Sequence, residues 1–385
     1  MMFSMNKTVI HLLMHSYKTD SRVTNETQSL KQNYSITVCC LKGDNLKKTE
    51  LRDSITIQRF DIGNHKIIII LSAYIQILKF ILQKKVHLLH AHDATALPIA
   101  FLASFLKKIP FIYDSHELWS HAHHKNNYTL LTTLLIKFEK LVAKYASTII
   151  TVSDSIATFM KNYFNKQNIH VIKNIPTYIS SNKNNILREK YKIENSTPIF
   201  IYQGLLSKYR GIHILWKAIK EVDHNKKFKF FILGSGPLLE DLKTSIQTDS
   251  ILKERIIILG FIEQKKLLSY TQSADVGVHS IPNTCLNHVY CLPNKIFEYI
   301  NSNIAVLFPN LTEVSKLIIN TKIGTLYNEN NSKSLSKAID TLIDSPKKIE
   351  EYKKNSKALS KTLNRNIFFI IFIISKWSFN NYVFN

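Results

Sequence analysis

The stretch Leu292-Pro293-Asn294-Lys295-Ile296-Phe297-Glu298-Tyr299-Ile300 carries the residues best suited to chemistry. Pro293 fits the start of a helix, where its missing amide proton costs nothing. Lys295 and Glu298 then fall one turn apart on one face. A lysine in the first turn stands beside unpaired amides and the positive end of the helix dipole, both of which favour an anion. A carboxylate one turn later can accept hydrogen bonds from two vicinal hydroxyls, as a ribose offers. The same spacing describes an ordinary i,i+3 surface ion pair, and spacing alone leaves both readings open. Gly234-Ser235-Gly236 predicts a close strand-to-helix turn beside a nucleotide phosphate. The chain contains no Asp-x-Asp triplet, the usual carboxylate hold on a divalent ion that bridges phosphates.

Such residues need strands that end beside them and helices that begin there. Short β-branched runs alternate with longer helical patterns along the chain, which predicts βαβ units and parallel sheets. In the first half, strands are expected near Thr8–Met14, Ile36–Cys40, Leu88–His90, Phe111–Asp114, Thr148–Val152 and Ile169–Ile172. Helices are expected at Ala94–Lys107 and Leu130–Tyr145, the latter with Leu130, Leu134, Leu135, Phe138, Leu141 and Val142 at helical spacing. The rhythm restarts after Pro176, with strands near Ile199–Gly204, Lys229–Leu233, Ile256–Leu259, Val276–His279 and Ala305–Phe308. The expected fold is α/β, with two doubly wound Rossmann-like domains. Residues 1–175 form an acceptor-side domain, 176–364 a donor-nucleotide domain and 365–385 an apolar tail. Ligands of such sheets bind beyond the carboxyl ends of the strands, so the cleft between the two domains is the expected active site.

The net charge of +23 over 385 residues favours anionic partners: phosphorylated small molecules, an acidic membrane surface or nucleic acid. A solvated lysine-rich surface explains the same charge. No helix-turn-helix, zinc or RNA-binding signature supports nucleic acid. Cys39 and Cys40 sit in an apolar run and Cys285 and Cys291 are too far apart for a zinc knuckle. A reducing, cytoplasmic setting without a signal peptide is expected. The apolar run Ile67–Leu82 is interrupted by Ser72, Gln76 and Lys79, and falls short of a membrane span.

The Leu292–Ile300 stretch resembles the donor-site motif of family-4 retaining glycosyltransferases, which have the GT-B fold. Other segments resemble the family in the same order. Leu89-His90-Ala91-His92-Asp93, Pro110 through Glu117, Thr151-Val152-Ser153 and Val171-Ile172-Lys173-Asn174 are similar to its N-terminal domain. Gly204, Arg210-Gly211, Leu233 through Pro237, Leu259-Gly260 and Ala274-Asp275-Val276 are similar to its C-terminal domain. The resemblance covers roughly residues 5–365. It implies that Arg210 and Lys295 contact the donor diphosphate and Glu298 holds the ribose. It implies that Gly204, Gly211, Gly234 and Gly236 shape the nucleotide loop, and that His116 touches the transferred sugar. Asp20 and Arg22 would line the acceptor side. Two fixed cations offset the leaving charge without a metal, so no cofactor is expected. The substrates would be a nucleotide-sugar donor and a glycan or lipid-linked acceptor of capsule or lipopolysaccharide assembly. An anionic inner membrane face is a further expected partner.

Three positions depart from the family pattern. Tyr290 stands where the first glutamate of the motif belongs, leaving Asn287, His288 or the Tyr290 hydroxyl to meet the donor sugar. Leu205 replaces an arginine after Gly204. The tail Asn366–Asn385 is apolar and aromatic in place of a polar, acidic helix; a reading-frame change near residue 365 or membrane contact would each account for it. These departures motivate two rival readings, a catalytically impaired nucleotide- or glycan-binding relative and a GT-B sugar-nucleotide epimerase.

Overall fold

A computed structural model describes residues 7–18, 20–61, 66–122, 129–176 and 184–363. The apolar tail Asn366–Asn385 lies outside the described residues. The chain forms two compact units, one running to Asn174 and one spanning Ile175–Arg365.

In the first unit β-branched and aromatic runs form β1 (Thr8–Leu12), β2 (Ser35–Leu41), β3 (Thr49–Arg52), β4 (Ile55–Phe60), β5 (Leu88–His92), β6 (Phe111–Asp114), β7 (Thr148–Thr151) and β8 (Ile169–Val171). Their order in the sheet is β3-β4-β2-β1-β5-β6-β7-β8. The neighbours pair in parallel, except for the antiparallel hairpin β3–β4. Helices join the parallel strands. Asp20 caps the Ser21–Leu30 helix by accepting from the Val23 amide at 3.0 Å, and Ser153 caps Asp154–Phe164 in the same way. Val9, Val38, Ile57, Leu88, Ile112 and Ile150 form one continuous core along this sheet. Cys39 and Cys40 are buried on β2 as free thiols.

The second unit contains β9 (Ile199–Gln203), β10 (Lys229–Leu233), β11 (Ile256–Gly260), β12 (Val276–Val278), β13 (Ala305–Pro309) and β14 (Gly324–Tyr327). The sheet order is β11-β10-β9-β12-β13-β14, parallel throughout. Numbered within the unit this is 3-2-1-4-5-6, the dinucleotide-fold order, which reverses direction between its first and fourth strands. Both faces carry apolar cores, as a parallel sheet covered by helices requires. At the amino end of the sheet, the Asp275 carboxylate accepts from the Ile199 amide at 2.9 Å and pairs with Arg188 at 2.6 Å and Lys353 at 3.2 Å. A buried acid so fully partnered ties the Ile186–Tyr191 and Pro346–Thr362 helices to the sheet.

The structure adds three strands to those expected. β3 and β4 are an edge hairpin turned by Asp53 and Ser54 at φ 49° and 67°, without the Asn-Gly or Asp-Gly signal that usually announces such a turn. β14 is a short edge strand beginning at Gly324. The Ile67–Leu82 run lies in the Lys66–Gln83 helix. No helix among the described residues is long and apolar enough to cross a membrane.

Candidate active site

In the second unit the loops after β9, β10 and β11 are knitted together. The Gly204 amide donates to Leu233 O, that of Leu206 to Ser235 O and that of Gly234 to Gly260 O, at 2.9, 2.9 and 2.7 Å. Only glycine permits this at Gly234, where φ is 148° and a Cβ would sit 1.9 Å from Gly204 O. A Cβ on Gly236 would likewise come within 2.4 Å of Leu206 O. Gly211, at φ 68°, starts the Ile212–Glu221 helix, and a Cβ there would meet Ser280 O at 1.8 Å. This packing brings Arg210 to the end of β12, where its carbonyl accepts from the Ser280 hydroxyl at 2.8 Å.

The Asn294–Asn301 helix docks at the reversal between β9 and β12. Its Tyr299 hydroxyl donates to Val278 O on β12 at 3.0 Å and accepts from the Gln203 amide on β9 at 3.3 Å. The Tyr299 ring fills the space that a Cβ on Gly277 would occupy. Lys295 and Glu298 therefore stand at the carboxyl ends of the strands. Lys295 Nζ lies 2.7 Å from Glu298 Oε2, so the i,i+3 pair exists. It is part of a larger array, because the Gln203 side-chain amide also donates to Glu298 and its carbonyl accepts from Thr271 at 2.6 Å. Gln203, unremarked in the sequence, is what orients Glu298. Its signal was one polar residue closing the apolar strand Ile-Phe-Ile-Tyr. Arg210 and Lys295 act on one region. The buried His279, stacked on Phe308, is driven down to about 3 by desolvation and then by the positive charges of Arg210 and Lys295.

The residues expected to meet the donor sugar lie on the one-turn Leu286–Tyr290 helix that precedes this array. Asn287 is buried and Tyr290 half-buried. His288 Nδ1 lies 2.9 Å from Pro282 O and 3.0 Å from the Thr284 hydroxyl, which ties the ring to its own loop.

In the first unit the order reverses between β1 and β5, and a second polar array occupies that point. His11 on β1 is the direct partner of His90 on β5, and His92 on β5 is paired in register with Asp114 on β6. Arg22, expected at the acceptor side, is instead buried beneath this array. It donates to both Asp114 oxygens at 3.1 and 2.7 Å and to Ile172 O at 2.9 Å, and contacts Glu26 at 3.2 Å. Its fork geometry suits this bidentate hold, and the donors so spent are not directed at an acceptor. Burial opposes the charge on Asp114, but Arg22 and His116 keep its carboxyl well below the usual range.

His116 follows β6 and is largely covered. Its amide donates to Asp93 Oδ1 at 3.0 Å, its Nδ1 lies 3.4 Å from Asp93 Oδ2, and its Nε2 lies 3.1 Å from His92 Nδ1. Burial disfavours its charged form, yet Asp93 and Asp114 overcome this and raise it to about 9, so His116 is an imidazolium at neutral pH. Asp93 itself adopts φ 60°, a strained conformation of the kind found at functional positions. Asp20, at the helix cap, is desolvated, but hydrogen bonds from His15 and the Val23 amide hold it near 2. By contrast, His11 Nε2, His90 Nδ1 and Glu26 Oε2 are buried without a hydrogen bond, and His90 Nε2 comes no closer than 3.6 Å to Asp114. Each such atom ordinarily costs about 1–3 kcal/mol.

Two largely parallel sheets, each carrying polar and charged groups at its winding reversal, define a doubly wound, two-domain type of α/β protein. Residues 21–175 match the family model for glycosyltransferase family 4, and residues 183–359 that for glycosyl transferases group 1. An uncharacterized glycosyltransferase of Haemophilus influenzae is 25% identical over 259 residues, 64% of this chain and 65% of that one. The UDP-Gal:alpha-D-GlcNAc-diphosphoundecaprenol alpha-1,3-galactosyltransferase of Escherichia coli is 22% identical over 283 residues, 71% of this chain and 70% of its own. The chain thus spans about two thirds of the length of these curated relatives. The crystal structure of Anabaena HepE in complex with UDP and glucose superposes with a TM-score of 0.75 at 16% identity, covering 96% of this chain and 98% of that one. The chain belongs to the family-4 glycosyltransferases of GT-B fold.

Proposed function

We propose that this protein is a retaining, metal-independent glycosyltransferase that moves a sugar from a nucleotide-sugar donor to a glycan or lipid-linked acceptor in cell-surface polysaccharide assembly. The observation that carries the reading is the array at the β9–β12 reversal. Arg210 and Lys295 supply fixed positive charge, and Glu298, oriented by Gln203, supplies an acceptor suited to ribose hydroxyls. The UDP in the HepE structure supports a nucleoside diphosphate ligand. The diphosphoundecaprenol in the name of the Escherichia coli relative supports a lipid-linked acceptor.

In this mechanism the bond between the sugar's anomeric carbon and the diphosphate oxygen breaks as the acceptor hydroxyl approaches from the same face. The departing phosphate oxygen takes the acceptor's proton, so no protein nucleophile is needed. Arg210, Lys295 and the start of the Asn294–Asn301 helix offset the charge that accumulates on the diphosphate. His116 serves as the polar partner of the transferred sugar. As an imidazolium flanked by Asp93 it donates hydrogen bonds, and it does not act as a base at neutral pH.

Membrane association fits the surface of the N-terminal unit. The packed helices Asp93–Lys107 and Leu130–Val142 expose Phe105, Leu106, Leu130 and Leu134, with Lys107, Lys137 and Lys140 beside them. Exposed apolar side chains on lysine-bearing helices suit an anionic bilayer surface, each lysine near it adding about 1 kcal/mol. The protein is expected to sediment with phosphatidylglycerol vesicles at low salt and to be released at high salt. Absence of binding at low salt would contradict this.

Lys295→Ala is expected to weaken nucleoside diphosphate binding by about 1.5–3 kcal/mol, the scale of a charge-assisted hydrogen bond; equal affinities by calorimetry would remove the main support for the reading. His116→Ala is expected to lower turnover by about 100-fold with little change in nucleotide affinity, the pattern of a contact made mainly in the transition state. Wild-type turnover should persist when magnesium and manganese are withheld. A normal rate in the His116 variant, or an absolute requirement for either ion, would overturn the corresponding half of the mechanism.

A further inference from the structure

We propose that His11, Glu26, His90 and His92 form a binding site for a divalent transition-metal ion of zinc type inside the N-terminal unit. A His-x-His pair on a strand places both imidazoles on one face, and the register sets His11 beside His90 on the adjacent strand. The Ser21–Leu30 helix brings Glu26 to the same place. One ligand atom from each of the four lies within 4.8 Å of the others, and all four residues are buried. Five of their polar atoms make no hydrogen bond, although Glu26 Oε1 meets the Arg22 guanidinium at 3.2 Å and His90 Nε2 stands 3.6 Å from Asp114. The imidazole of His90, shut away from water with Nδ1 unbonded and Nε2 no closer than 3.6 Å to the Asp114 carboxylate, is a group that a metal ion would satisfy.

The donor set selects the ion. Three imidazoles and one carboxylate suit zinc, whereas magnesium prefers an all-oxygen shell. Asp114 is already held by the bidentate Arg22, which leaves Glu26, itself in contact with Arg22 at 3.2 Å, as the carboxylate ligand. The far edge of His92 fits the same assignment. Its Nε2 faces His11 Nδ1 at 2.9 Å, while its Nδ1 faces Asp114 at 3.5 Å and His116 at 3.1 Å. Coordination through Nε2 leaves Nδ1 on the side of Asp114 and His116, outer neighbours of the kind that orient a metal-bound histidine.

Glu26 Oε2 lies 4.0 Å from both His90 Nε2 and His92 Nε2. In a tetrahedral zinc site the ligand atoms stand roughly 3.3 Å apart, so binding draws Glu26 inward. The rings of His11, His90 and His92 stack with centroids 4.4–5.2 Å apart, and they must turn about their Cβ–Cγ bonds to aim at one ion. With all four ligands from the protein and none exposed, the ion is structural and enters during folding. The neighbouring trio His92, Asp114 and His116 competes poorly, because Asp114 is committed to Arg22.

The test uses full-length protein produced with zinc in the medium and gel-filtered in EDTA. Elemental analysis is expected to find one zinc per chain in the wild type and in His116→Ala, and less than a tenth of that in Glu26→Gln. Because a His90 variant could misfold, the second measurement refolds wild type and Glu26→Gln with cobalt(II) replacing zinc. The visible bands of four-coordinate cobalt should appear in the wild type alone, and excess magnesium should not remove them. Zinc-free wild type, zinc unchanged in Glu26→Gln (adventitious surface binding), or zinc lost in His116→Ala but kept in Glu26→Gln would each overturn the assignment.

Discussion

Where a parallel sheet reverses its winding direction, the connections on either side diverge and leave the carboxyl ends of two strands uncovered. This protein has two such points, at β1–β5 and at β9–β12. Polar and charged groups gather at both, Arg22 with Asp114 at the first and Lys295 with Glu298 at the second. Asp275, with Arg188 and Lys353, braces the opposite end of the second sheet. At the β9–β12 reversal Tyr299 bridges Gln203 and Val278 over a glycine at 277. That one aromatic side chain places Lys295 and Glu298 where a ligand could reach them. The glycines at 204, 211, 234 and 236 serve the same end by letting adjacent loops approach within hydrogen-bonding distance.

The fold was largely legible in the sequence because buried parallel strands are continuous apolar runs. Ile199–Gln203 and Ala305–Pro309 are buried throughout, and their boundaries were read to within a residue. The β3–β4 hairpin was not legible, since its alternating polar residues and Asp-Ser turn carry no strong local signal. For the same reason Lys295 and Glu298, which sit in a recognisable motif, could be singled out, whereas Gln203 could not. Its importance comes from residues 68 and 95 positions away, a proximity that no local pattern encodes.

Arg22 shows the converse. A charged residue in a short segment after the first strand reads as surface, yet here the helix begins one residue earlier and carries the guanidinium inward to Asp114. The histidine array escaped notice in a similar way. His11 reads as an interruption of an apolar run, and only strand pairing puts it beside His90. The first unit therefore contains two polar environments with different character. His116 is met by Asp93, Asp114 and His92; His11 Nε2 and His90 Nδ1 are buried without a hydrogen bond. The former suits a catalytic contact, and the latter suits an ion.

The central claim is that a nucleoside diphosphate sits at the β9–β12 reversal, held by Arg210, Lys295 and Glu298. Hydrogen exchange measured with and without UDP tests it most directly. Binding is expected to slow exchange in the segments around Gly204–Gly211, Gly234–Gly236 and Pro293–Glu298, while the Asp275 end of the same sheet stays unchanged. Binding with protection only in other segments, or no binding across a panel of nucleoside diphosphates, would contradict the account.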